Sequence, residues 1–165
     1  MLRLLRLPAV AGLLILTMTC LDGTAHASTA HMRGRFVAGR EMLSIINADR
    51  RAAGLPALSF DTSLATVAKS HSREMAEKHY FSHTSPEGLS PFDRLRWAGI
   101  LYQSAGENLG MANGTDRTAI LEAIEVAMLH SPEHRANLLR PTFTHVGIGI
   151  ISHGGTVYVT EDFIS

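Results

Sequence analysis

Residues 146–163 read VGIGIISHGGTVYVTEDF. Val146, Ile148 and Ile150 alternate with other residues, and Val157, Val159 and Phe163 do so again further on. Gly154-Gly155 lies between the two runs. Apolar side chains at every second position put one face of a strand on a core, and a Gly-Gly pair between two such runs closes a β-hairpin. Upstream of it the apolar period is helical. Helices first and a hairpin last predict an α+β domain, with helices packed on a small antiparallel sheet.

The helical signals run backwards and forwards from a few punctuation marks. Met42, Ile45, Ile46, Ala52 and Ala53 recur at helical spacing, and Gly54 then Pro56 stop that helix. Asp61 is a good N-cap for a second helix, whose stripe is Leu64, Val67, Ala68, His71 and Met75. Residues 80–89 form a loop around Pro86 and Gly88. Ser90-Pro91-Phe92-Asp93 is a variant capping box with proline at the first helical position, and the short helix it opens ends at Gly99. Residues 104–109 read as extended, and Asn113-Gly114 as a turn. Ile120, Ala123, Ile124 and Ala127 mark another helix, and Ser131-Pro132 starts a fresh turn with Ser131 as cap. Trp97 and Tyr102 are read by default as core.

The N-terminal end is different in kind. Arg3 and Arg6 precede an apolar run over residues 7–18, and Ala25-His26-Ala27 follows as a small-x-small site. That order predicts a secretory signal peptide over residues 1–27, cleaved after Ala27. A polar linker, residues 28–40, then leads into a domain over residues 41–165. The one cysteine, Cys20, falls inside the signal peptide, so no disulfide is expected in the mature domain. Lipidation of Cys20 is the rival reading; Thr17-Met18-Thr19 before it is a poor match to the usual small-residue pattern. With 15 basic and 15 acidic residues the chain carries no electrostatic footprint for nucleic acid. The expected location is extracellular or periplasmic, with no stable membrane anchor.

No HExxH, Gly-x-Ser-x-Gly or P-loop is present. What stands out is histidine beside turn-forming residues. His83 sits in Phe81-Ser82-His83-Thr84, and His134 in Ser131-Pro132-Glu133-His134-Arg135. Glu107 sits in Gly106-Glu107-Asn108, where a carboxylate in an apolar strand must face a cleft or be buried and paired. Spacing alone does not bring these three together.

The order of the pieces carries a resemblance. They are Ala68-Lys69-Ser70-His71-Ser72-Arg73-Glu74-Met75-Ala76, Phe81-Ser82-His83, Gly106-Glu107-Asn108-Leu109, Ser131-Pro132-Glu133-His134-Arg135-Ala136-Asn137-Leu138-Leu139 and Val146-Gly147-Ile148-Gly149. Together they resemble the CAP superfamily, the cysteine-rich secretory, antigen 5 and pathogenesis-related group, in its bacterial secreted (SCP-domain) form. The resemblance implies a three-layer α-β-α sandwich with a cleft, lined by His83, His134 and Glu107. Many eukaryotic members carry a second glutamate where this chain has Ser131, and they carry disulfides that this chain lacks.

Two readings of the cleft stay open. His83 and His134 with one carboxylate suit a divalent metal such as zinc, with a position left for water. Alternatively, hydrogen bonds from the same residues tie a loop to the sheet. Two functions follow: a secreted module binding a metal ion, a lipid or a partner segment, or a metal-assisted hydrolase using Glu107 and the cleft histidines. No activated nucleophile is evident, which favours binding. His71, on an apolar stripe, is read as a core histidine, and Asn108 as a partner for backbone groups.

Overall fold

The structure is a computed structural model that describes residues 36–165. The predicted signal peptide, Cys20 and residues 28–35 of the predicted linker lie outside those residues, whereas residues 37–40, read as linker, are helical. The elements in chain order are α1 (Val37–Ala52), β1 (Ser59–Phe60), α2 (Thr62–Lys78), α3 (Pro91–Trp97), β2 (Ala105–Asn113), α4 (Arg117–His130), α5 (Pro132–Leu138), β3 (His145–His153) and β4 (Thr156–Ile164).

Several boundaries follow from the residues anticipated for them. Asp61 caps α2 by accepting from the Ser63 and Leu64 amides (2.7 and 2.9 Å). Ser90 and Asp93 close the capping box of α3, with Pro91 behind the cap. Other boundaries differ. α1 begins four residues before Glu41, because Phe36 is buried and packs on the Phe60 ring. β2 runs on to Asn113 because β4 pairs with it along its whole length. Ser131 stands at the N-cap of α5, yet its side chain makes no cap hydrogen bond.

The sheet order is β1-β3-β4-β2, so β2 is an edge. The β3–β4 hairpin and the β2–β4 pair are antiparallel, as expected. The sheet is nevertheless mixed, because the two-residue β1 runs parallel to β3. The chain passes beside β3 on its way into α2, and the Ser59 and Asp61 amides bond to Thr144 O and Val146 O (both 2.9 Å).

The pleat of β3 divides the layers. Val146 and Ile148 turn to the larger core, with Met42, Ile46, Ile124, Met128, Val159 and Phe163. Gly147 and Gly149 turn the other way, where α2 lies against the sheet so closely that a Cβ on either would sit 2.2 Å from helix backbone. Leu64, Leu95 and Ile164, with Val67 and Tyr102, make a smaller cluster there. The result is α1, α4 and α5 on one face and α2 and α3 on the other, an α-β-α sandwich. Tyr102 packs at that smaller cluster as expected, whereas Trp97, also read as core, is 72% exposed. It is the last residue of a short helix, beyond the reach of the core that Leu95 fills.

Candidate functional site

The site lies where the α2–α3 loop crosses the edge strand β2. The loop is pinned from below. His71, buried on α2 as predicted, donates from Nε2 to Ser82 O (3.0 Å), and its Nδ1 faces the Tyr80 hydroxyl at 3.4 Å. Burial holds the His71 pKa below the usual histidine value, which suits a ring that donates from Nε2 alone. The turn beyond is closed by the Gly88 amide on Ser85 O (2.9 Å).

This pinned loop delivers His83 to Glu107. His83 Nδ1 lies 2.8 Å from Glu107 Oε1. The carboxylate only accepts, so Nδ1 carries the proton and donates it, and the Nε2 edge points away from the pair. The His83 side chain is 53% exposed and that of Glu107 1%, so the imidazole is the part of the pair that meets solvent.

A residue that sequence reading passed over completes the pair. Arg94 of α3 donates from Nη2 to Glu107 Oε2 (2.6 Å), and from Nη1 to His83 O (2.9 Å) and Leu89 O (3.0 Å). One guanidinium thus holds the carboxylate and the loop that carries the histidine. In sequence Arg94 is one more charged residue in a capped helix, and nothing marks it.

Sheet pairing adds Asp162. It stands opposite Glu107 in the β2–β4 register and opposite Gly147 in the β3–β4 register. It is buried against the Glu107 carboxylate. Burial, then the charge of Glu107 beside it, pushes its pKa well above the usual carboxylate range. The signal that flagged Glu107, an acid inside an apolar alternation, is also present at Glu161-Asp162.

His134 comes from α5, across the sheet edge. Its backbone carbonyl accepts from Asn108 Nδ2 (3.2 Å), and Asn108 Oδ1 accepts from Asn137 Nδ2 (3.0 Å). Asn108 therefore holds backbone and side-chain partners, as expected. Partial burial lowers the His134 pKa, and His83 lowers it further by charge. His134 makes no direct hydrogen bond to the His83–Glu107 pair; it joins the site as an electrostatic neighbour. Of the three predicted residues, two are in contact and the third stands near them.

The donor set does not fit the zinc site that the two histidines and Glu107 suggested. Both oxygens of Glu107 are engaged, and one of them already has a cation, Arg94, at 2.6 Å. Among the described residues no group of three or more His, Cys, Asp or Glu is arranged to hold a metal. The arrangement instead orients an imidazole edge towards solvent over a carboxylate locked by hydrogen bonds.

Comparison with known proteins bears on what this scaffold is. The sequence model of the cysteine-rich secretory protein family, CAP, matches residues 43–163. The uncharacterized protein YkwD of Bacillus subtilis is 37% identical over 125 residues, which cover 76% of this chain and 46% of that protein. The chain thus spans less than half the length of this curated relative. Among solved structures, an extracellular protein containing an SCP domain from Bacillus anthracis is 34% identical with a TM-score of 0.66, over 76% of this chain and 39% of that one. An outer surface protein from Borrelia burgdorferi, 22% identical, shares the fold with a TM-score of 0.68, over 78% of this chain and 92% of that one.

Proposed function

The chain belongs to the cysteine-rich secretory protein (CAP) family, and from that premise we propose that it is a secreted binding protein whose cleft takes a ligand on the imidazoles of the exposed His83 and the half-buried His134. The observation that carries this reading is the double engagement of Glu107 by His83 and Arg94. A carboxylate held at both oxygens is a fixed support. The solvent-facing chemistry is left to His83 Nε2 and the half-buried His134. A small ligand that hydrogen-bonds to imidazole suits that edge. Secretion rests on the signal-peptide pattern of residues 1–27 and on likeness to the extracellular Bacillus anthracis protein. No helix among the described residues is long and apolar enough to cross a membrane.

Native mass spectrometry of the chain, exported and purified without affinity tag or chelator, tests the proposal. The expected result is an added mass on the wild type that is missing from His83→Ala and from His134→Ala, with circular dichroism unchanged. Unmodified spectra for all of them would sink it.

One observation favours a second reading. A carboxylate on Nδ1 with Nε2 open is the orienting half of a general-base device. In that case His83 takes a proton from water at Nε2 while Glu107 stabilises the imidazolium formed. Ester or amide turnover by the wild type, abolished in His83→Ala, would replace the binding reading with this one.

A further inference from the structure

A groove of about 460 Å³ runs between α2 and α3 and adjoins the site through Arg94, which lines it while holding Glu107. That volume is in the range of small-molecule sites. Its floor includes Val67 and Leu89, and Trp97 stands on its α3 side, 72% exposed. Its α2 wall is a stripe at helical spacing: Thr66, Ser70, Arg73 and Glu77. The Thr66 hydroxyl is spent on Thr62 O (2.8 Å). Ser70, Arg73 and Glu77 make no side-chain hydrogen bond or ion pair with any described residue, whereas the neighbouring Glu74 is held by Lys78 and Tyr80. Of the polar lining residues that α2 supplies, Thr66 and Glu74 are committed and Ser70, Arg73 and Glu77 are open.

We propose that this groove is a second binding site, for a neutral saccharide that stacks on Trp97 and hydrogen-bonds to Ser70, Arg73 and Glu77. The choice of ligand follows from what the walls demand. One uncommitted cation, one uncommitted anion and a hydroxyl ask for no net charge, so a phosphate or a polyanion gains little there. A lipid chain filling the groove would strip water from Arg73 and Glu77 and return no hydrogen bonds. An extended peptide has no ladder to join, because both walls are helices whose backbone groups bond within themselves. A pyranose ring meets the requirements together. Its C–H face is flat and apolar for the indole, and its rim of hydroxyls both donates and accepts. Arg73 offers donors, Glu77 acceptors and Ser70 either, on successive turns about 5.4 Å apart, so one or two sugar units lie along the wall.

Trp97 is the only tryptophan in the chain, so its fluorescence reports the groove directly. The test titrates the purified chain with the trimer of N-acetylglucosamine and with cellotriose, then repeats the binding by calorimetry on variants. The expected result is a saturable fluorescence change with a Kd on the order of 1 mM or tighter for at least one of these sugars. Trp97→Ala should weaken binding by about tenfold or more. Arg73→Gln and Glu77→Gln should each weaken it by about threefold, as for loss of one exposed hydrogen bond. Phe92→Ser, an exposed aromatic on α3 outside the groove lining, serves as the control and should bind as wild type. All four positions are on the surface, and circular dichroism confirms folding. No response to either sugar overturns the proposal. So does a response to laurate or to an unstructured peptide in place of the sugars, or a sugar response that Trp97→Ala leaves unchanged in calorimetry.

Discussion

At the scale of single residues, the site depends on one guanidinium. Arg94 reaches Glu107, His83 O and Leu89 O at once, with its side chain 9% exposed. Removing one partner of a buried pair leaves the other charge without compensation, typically at a cost of about 3–5 kcal/mol. Because His83 still contacts Glu107, Arg94→Ala is expected to cost about 3 kcal/mol in urea unfolding. Arg94→Lys should recover less than half of that, since an ammonium on a flexible stem cannot serve three acceptors placed for a planar fork. Full recovery by lysine would mean that only the charge matters. Arg50 shows the same economy elsewhere. Fully buried on α1, it donates to Pro56 O, Leu138 O, Arg140 O and Phe143 O (2.7–3.4 Å), tying α1 to the turn before β3.

At the scale of elements, the seating of α2 on the sheet decides where the His83 loop starts. That seating rests on the absence of side chains. A Cβ on Gly149 would lie 2.2 Å from Lys69 N and 2.3 Å from Ala68 C, and both are helix backbone that cannot rotate aside. Gly149→Ala should therefore push α2 off the sheet and destabilise by about 3 kcal/mol, at the upper end for an added methyl in a packed site. Because His71 on α2 bonds to Ser82 O, the shift should also loosen the His83 loop, seen as faster amide exchange over residues 82–89. A Gly149→Ala protein as stable as wild type would show that the helix yields. The alternation Val146-Gly147-Ile148-Gly149 was readable as a strand from the apolar half alone; the glycine half states how close the next layer comes.

At the scale of the whole molecule, buried carboxyls set the pH dependence. Burial and the nearby Asp49 raise the Glu125 pKa from 4.5 to about 8. Burial raises Glu161 and Asp162 as well. These groups hold protons in the folded state that the unfolded chain gives up above its own pKa. The stability they contribute is thus whole below about pH 4.5 and is lost as pH rises through their folded values. His71 and His134 act oppositely: their folded pKa values lie below 6.5, so they cost stability only as pH falls below that point. Between pH 6.5 and 8 stability should therefore fall, with Glu125 by itself removing about 2 kcal/mol. Urea unfolding at the two pH values measures the fall, and Glu125→Gln should reduce it by about that amount. A stability that rises over this interval would contradict the assignment.

Sequence by itself determined a good deal here. The alternating hairpin, the caps at Asp61 and Ser90, and the helical stripes specify local geometry, because backbone preference and period act over a few residues. They are enough for the α+β class and, with the ordered motifs, for the family. They also single out His83 and Glu107 as unusual in their surroundings. Tertiary structure alone decided the rest. It paired Glu107 with Arg94 and set Asp162 beside it, since strand register joins residues more than fifty positions apart. It left Trp97 in solvent and the zinc-like set without a free carboxylate, since exposure and commitment depend on which element lies across from a side chain, and that is settled only when the layers close.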